Sequence, residues 1–67
     1  MAWHRLDSSF IDGFEYDAAE SVLRLRFAGG REVGYRGVPP DVAAGLMSAK
    51  SPGGYYHAAI KGKFGPA

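Results

Sequence analysis

The sequence predicts an α+β fold, in which a three-stranded antiparallel β-meander is followed by two short α-helices packed on one face of the sheet. Three observations lead to this prediction. Apolar and charged residues alternate in "LRLRF", a glycine pair follows at residues 29–30, and the second half of the chain holds two proline-led segments with helical spacing. With 67 residues, the chain is expected to form one domain with a thin core.

The three strands are predicted in "FIDGFEYD", "SVLRLRFAGG" and "REVGYRGV". Alternation places one set of side chains on the apolar face of the meander: Phe14, Tyr16, Leu23, Leu25, Phe27, Val33 and Tyr35. Arg24 and Arg26 lie on the opposite, solvated face, where Glu15 and Glu32 are expected to neutralise them as cross-strand partners. The two glycines after the second strand accept the positive φ that a tight turn requires.

The first helix is predicted in "VPPDVAAGLMSAK". Pro39 and Pro40 set its start, and Asp41 lies favourably at the positive end of the helix dipole. The residues predicted to face the sheet are Val42, Leu46 and Ala49. Glycine costs about 1 kcal/mol relative to alanine inside a helix, so Gly45 is expected to mark a close approach to the sheet.

The second helix is predicted in "SPGGYYHAAIKG". Ser51 is a suitable N-cap, Pro52 suits the first helical position, and Gly62 suits the C-terminal stop. Tyr56 and Ile60 are four residues apart and therefore lie on one face, which we expect to pack on the sheet.

The composition argues against several classes of function. The chain has no cysteine, so a disulfide, a zinc ribbon and a thiol nucleophile are impossible. His4 and His57 have no second ligand at a recognisable spacing, and no acid–base pair or nucleophile constellation can be assembled. We therefore expect no metal, no cofactor and no enzymatic activity. No apolar run approaches a membrane span, and no secretory signal is present, which favours a cytoplasmic protein.

Charge is distributed unevenly along the chain. Residues 1–35 carry four arginines against six carboxylates, a net charge of −2, whereas the remainder carries Arg36, Lys50, Lys61 and Lys63 against Asp41, a net charge of +3. Such asymmetry can mark an anionic partner, although four cations form a weak patch beside those of dedicated nucleic-acid binders. The chain has no Asn, Gln or Thr, and Asn and Gln are the usual readers of adenine edges. We therefore expect backbone contacts and base stacking rather than sequence-specific recognition.

The basic C-terminal half contains a candidate nucleic-acid-binding site. Its predicted residues are Lys50, Gly53, Gly54, Tyr55, Lys61 and Lys63, with Arg36 at the rim. Amides at a helix N-terminus favour a phosphate, and Tyr55 is the aromatic residue expected to be partly exposed and able to stack on a base. A structural explanation competes with this one: the two glycines permit a tight turn between the helices, and the aromatic residues fill a small core.

The segments "SSFIDGFEYD", "LRLRF", "GYRGVP" and "AKSPGGYYHAAIKGKF" resemble the KTSC domain family. The resemblance covers roughly residues 7–64 of a single domain at 1–67, with residues 1–6 as an N-terminal extension. The chain departs from the family pattern at three positions: Val33 replaces a usual tyrosine, His57 an asparagine and Lys61 an arginine. The family is named for the C-terminus of certain lysyl-tRNA synthetases and also occurs as stand-alone bacterial or phage proteins.

The resemblance implies a β-sheet-plus-helix domain without an established function. Two expectations follow. The first is a non-enzymatic accessory module that binds tRNA or single-stranded RNA, with an affinity that falls steeply as salt rises. The alternative is a protein–protein interaction module in a bacterial or phage assembly, or one that self-associates, whose binding is largely insensitive to salt.

Overall fold

A computed structural model describes residues 3–67 and confirms the α+β class, but its sheet has five strands rather than three. The strands are β1 (His4–Arg5), β2 (Ile11–Asp17), β3 (Val22–Phe27), β4 (Glu32–Arg36) and β5 (Gly65–Pro66). They follow one another in the order β1-β2-β3-β4-β5, and every neighbouring pair is antiparallel. The three-strand prediction was therefore incomplete, because a two-residue strand is too short to show an alternating pattern.

The strand β2 contains an irregularity that sequence alternation did not predict. Its register with β3 shifts between Ile11 and Gly13, so that Ile11 pairs with Phe27 while Phe14 pairs with Leu25. A bulge inserts one extra residue into a strand and changes which side chains face inward. Ile11 and Phe14 are consequently both buried, although simple alternation would place them on opposite faces.

Two helical segments cover the apolar face of the sheet. They are α1 (Pro40–Ser48) and α2 (Pro52–Tyr55), and α2 continues directly into a wider π-helical turn at Tyr56–Ile60. The core contains the buried side chains Ile11, Phe14, Leu23, Leu25, Phe27, Val38, Ala43, Leu46, Tyr56 and Ile60. None of the helices formed by residues 3–67 is long and apolar enough to cross a membrane.

The inward stripe of α1 differs from the predicted one. Ala43 and Leu46 are buried, whereas Val42 is only half-buried. Ala49 lies beyond the last helical residue in an extended conformation, because the helix is shorter than the sequence suggested. The actual inward pair is therefore spaced i, i+3 rather than i, i+4, which is equally compatible with one helix face.

The local signals for the second helix are confirmed. The Ser51 hydroxyl oxygen accepts a hydrogen bond from the Gly54 amide at 3.2 Å, as an N-cap should, and Pro52 occupies the first turn. The Lys61 amide donates to the Tyr56 carbonyl at 2.8 Å, which closes the π-helical turn, and Gly62 follows with a φ of 75°. The widening from α to π was not predicted, since the sequence spacing of Tyr56 and Ile60 suits a regular helix.

Gly45 does mark a close approach, but the prediction that it faces the sheet is wrong. The ring of Tyr55 lies against Gly45 so closely that a β-carbon at residue 45 would overlap the phenol. The Tyr55 hydroxyl donates to the Val42 carbonyl at 2.8 Å on the same helix. The missing side chain therefore allows the two helices, rather than a helix and the sheet, to pack together.

Candidate nucleic-acid interface

On the outer face of the sheet, Arg24 and Arg26 each lie opposite a carboxylate of a neighbouring strand, as the cross-strand pattern predicted. Arg26 is bonded to Glu32 through two guanidinium nitrogens at 3.1 and 3.2 Å, and Trp3 lies 4.5 Å from the same guanidinium. Arg24 is opposite Glu15 in the strand register. Each of these two arginines therefore has a carboxylate opposite it in the neighbouring strand, and the ion pair that forms within residues 3–67 is Arg26–Glu32.

The four cations of the predicted site differ from Arg26 because, within residues 3–67, they have no carboxylate partner. Lys50, Lys61, Lys63 and Arg36 are all exposed. Within residues 3–67, the ion pair that forms is Arg26–Glu32, and none of these four side chains lies within salt-bridge distance of a carboxylate. Their charge is therefore available to an anionic partner.

The amides that begin α2 are less available than the sequence suggested. The Gly54 amide donates to the Ser51 hydroxyl, and the Tyr55 amide donates to the Ser51 carbonyl at 2.9 Å. The regular α-helical part spans only Pro52–Tyr55, so its dipole is small. Ser51 thus satisfies two amides at the start of the helix, including that of Gly54, which the sequence had assigned to a phosphate.

Tyr55 and Gly53 have packing roles in the structure. Tyr55 is half-buried, as expected, but its ring lies against Gly45 and its hydroxyl is bonded to Val42. Gly53 faces the ring of Phe10, and a β-carbon there would lie 3.1 Å from the nearest ring carbon. The glycine therefore makes room for an aromatic side chain that the sequence analysis did not include.

Phe10 is the site residue that sequence reasoning missed. Its side chain is 42% exposed, and its ring stacks on His57 with the centroids 5.6 Å apart and the planes inclined by 19°. Alternation without a bulge would have placed Phe10 on the same face as Phe14, and therefore in the core. Gly13 inside a strand pattern was the available signal, since an isolated glycine there often indicates a bulge.

Phe10 and His57 border a groove of about 260 Å³ between the β3–β4 turn and the π-helical turn, called here the aromatic groove. Its lining residues are Phe10, Phe27, Ala28, Arg31, Tyr56, His57 and Lys61. Two of the seven are permanent cations and none is a carboxylate. Of the predicted site residues, Lys61 belongs to the groove, and Gly53 lies behind it against the Phe10 ring.

The inner wall of the aromatic groove is held rigidly by aromatic contacts. Phe27 contacts both Phe10 and Tyr56, with centroid distances of 5.2 Å in each case. The hydroxyls of Tyr56 and Tyr35 are hydrogen-bonded at 2.6 Å. Burial and this hydrogen bond raise the pKa of Tyr56 to about 12, so its hydroxyl remains neutral at physiological pH.

Comparison with known proteins extends these observations. The KTSC domain family model matches residues 7–64. A protein of Tsukamurella paurometabola is 41% identical over 59 residues, which cover 88% of each chain. A lysine–tRNA ligase of Trichormus variabilis is 38% identical over 58 residues, which are 87% of this chain but only 10% of the ligase.

The fold also has a counterpart among solved structures. The crystal structure of a KTSC domain protein from Yersinia pestis superimposes with a TM-score of 0.92 at 32% sequence identity. The match covers 98% of this chain and 93% of the other. The edge strands absent from the sequence prediction therefore lie within the region that the two structures share.

Proposed function

Because the chain belongs to the KTSC domain family, we propose that it is a non-enzymatic accessory module of the bacterial or phage cytoplasm that binds RNA. The observation that carries the proposal is that Lys50, Lys61, Lys63 and Arg36 are exposed and form no ion pair within residues 3–67, in contrast to Arg26, which is paired with Glu32. The occurrence of a matching segment in a lysine–tRNA ligase supports RNA as the anion.

The proposed contacts are electrostatic and directed at the sugar–phosphate backbone. They come from Lys50, Lys61, Lys63 and Arg36. The Gly54 amide is excluded from this surface because it already donates to Ser51. A chain without Asn, Gln or Thr lacks the usual amide side chains that read base edges, so the binding is expected to depend little on sequence.

Binding to RNA should show a measurable salt dependence. Each phosphate contact on a single strand contributes about −0.7 to the slope of log K against log salt. Four contacts therefore give a slope of about −3 at most, measured by fluorescence anisotropy with an unstructured 12-nucleotide RNA and with tRNA. Neutralising one contact, in Lys61→Gln, should reduce the magnitude of the slope by about 0.7.

The control for this experiment is Arg24→Gln, which removes a positive charge from the outer face opposite Glu15. Its slope should equal that of the wild-type protein. If neither RNA binds at low salt, or if Arg24→Gln changes the slope as much as Lys61→Gln does, the proposed function is wrong.

A protein-interaction role is favoured by one separate observation. Met47 is 59% exposed and borders a cleft of about 280 Å³ that also contains Leu6 and Leu46. Contiguous exposed apolar surface is typical of protein contact sites, and Leu6 adjoins Met47 in this cleft. Under this alternative, sedimentation would show self-association or partner binding that Met47→Glu abolishes and that salt hardly changes.

A further inference from the structure

We propose that the aromatic groove binds one unpaired nucleobase of the RNA, stacked on the Phe10–His57 pair, with a neighbouring phosphate held by Arg31 and Lys61. This inference rests on the proposed RNA-binding function and adds the class of RNA. It assigns the surface to single strands, loops and ends rather than to duplex.

The Phe10 ring is exposed, unlike the rings of Phe14 and Phe27. Phe14 and Phe27 retain 3% and 8% of their accessible surface, whereas Phe10 retains 42%. A domain with a thin core gains from burying each large side chain, so leaving this ring at the surface forgoes stability. An exposed aromatic side chain beside cations is the usual composition of a single-strand-binding surface.

The exposed Phe10 ring is already fixed in position by its neighbours. Phe10 packs on Gly53 on one side, contacts Phe27 at 5.2 Å between centroids and stacks on His57. The Phe10 carbonyl also accepts a hydrogen bond from the Ala28 amide at 2.9 Å. A ring that is ordered before binding loses little conformational freedom when a ligand stacks on it.

Two cations, Arg31 and Lys61, lie beside the rings of the aromatic groove. Arg31 and Lys61 come from opposite sides of the groove, one from the β3–β4 turn and the other from the end of the π-helical turn. The Arg31 guanidinium lies 5.9 Å from the Phe27 ring centroid, so it stays close to the apolar floor. With no carboxylate in the lining, the groove complements a ligand that joins a flat aromatic group to an anion, as a nucleotide does.

The geometry also explains the preference for unpaired bases. In a duplex, both faces of each internal base are covered by its neighbours, and the base cannot reach an aromatic side chain. In a single strand, each base can leave its neighbours and stack on a protein ring. The near-parallel Phe10 and His57 rings offer a stack that one further aromatic plane extends.

The test compares three RNA probes of equal length: an unstructured strand containing one 2-aminopurine, the same strand with abasic sites, and a duplex. The wild-type protein should quench the 2-aminopurine fluorescence and bind the abasic strand and the duplex roughly tenfold more weakly or worse. Phe10→Leu keeps an apolar side chain against Gly53 but removes the ring, so it should lose the quenching and the discrimination while retaining the salt slope.

Two further variants keep the test decisive. Met47→Leu alters the other large apolar side chain that residues 3–67 leave exposed and should behave like the wild type. His57→Ala changes an exposed residue outside the core, so it provides a folded variant if Phe10→Leu unfolds, and it should weaken single-strand binding several-fold.

The outcomes separate this inference from the proposed function. If RNA binds with the expected salt slope but Phe10→Leu and His57→Ala keep full quenching and discrimination, the stacking site is wrong and the RNA-binding function stands. If the wild type binds none of the probes, the RNA-binding function is wrong. An NMR titration with adenosine monophosphate then tests the groove alone: shifts at Phe10, Arg31 and His57 support a nucleotide site, whereas no shifts, or shifts produced only by an acidic peptide, overturn it.

Discussion

The close packing of Tyr55 on Gly45 predicts that Gly45→Ala destabilises the protein, although the same change in an ordinary helix would stabilise it. Alanine is about 1 kcal/mol better than glycine inside a helix. Here, however, the new β-carbon would overlap the hydroxyl oxygen and two ring carbons of Tyr55. The phenol must therefore move away from α1.

The magnitude follows from the interactions that this movement disturbs. Overpacking in a well-filled contact costs about 1–3 kcal/mol. The hydrogen bond from the Tyr55 hydroxyl to the Val42 carbonyl adds about 1 kcal/mol when it is lost. After subtraction of the gain in helix propensity, the free energy of unfolding should fall by about 1–3 kcal/mol, a large share of the stability of a 67-residue domain.

Urea unfolding followed by circular dichroism measures this change, and a double-mutant cycle identifies its cause. Tyr55→Leu removes the atoms that the β-carbon would meet, so adding Gly45→Ala to that variant should be neutral or stabilising by up to about 1 kcal/mol. The packing account would be refuted if Gly45→Ala stabilised the protein with Tyr55 present, or if it cost the same in both backgrounds.

Two further predictions concern stability. Ser51→Ala removes the acceptor of the Gly54 amide and should lower the free energy of unfolding by about 1 kcal/mol in urea titrations. The control is Ser9→Ala, at an exposed serine, which should change the free energy of unfolding by less than about 0.5 kcal/mol. Equal effects of the two substitutions would contradict the capping role of Ser51. The pKa of Tyr56 is about 12 in the folded protein, above its ordinary value of 10.0, so folding favours the neutral phenol. The stabilisation that the folded protein gains from the neutral Tyr56 phenol is complete below pH 10 and is lost as the pH rises toward 12. The free energy of unfolding should therefore fall by roughly 2 kcal/mol over this range. The loss should be smaller in Tyr35→Phe, and an equal loss would contradict the role of the hydroxyl pair.

The features that the sequence predicted correctly depend on local patterns. The long strands follow from alternation in segments of five to seven residues. The start of the second helix follows from Ser51 and Pro52, whose effects act within one turn. The resemblance to the KTSC domain family implied a β-sheet-plus-helix fold, which agrees with the structure.

The features that were missed depend on contacts between distant segments. β1 and β5 are two residues each, and they form because the existing sheet presents free backbone groups to the chain termini. The partner of Gly45 lies ten residues away in another helix. A helical pattern shows that a glycine is costly, but it does not show which side chain requires the space.

The aromatic groove was missed for the same reason. Its parts come from the residue before β2, from the β3–β4 turn and from the π-helical turn, and the bulge after Ile11 decides that Phe10 remains outside the core. The sequence did predict Lys61 and Gly53 as site residues, and both contribute to this region. It assigned Gly53 to phosphate binding, whereas the structure shows that Gly53 gives space to the Phe10 ring.

The most direct test of the functional account is an amide chemical-shift titration of the wild-type protein with a short unstructured RNA at low salt. We expect the perturbations to be largest at Phe10, Arg31, His57 and Lys61 and to diminish as salt is added. Perturbations centred instead on Arg24 and the outer face of the sheet, or no perturbation at all, would contradict the account.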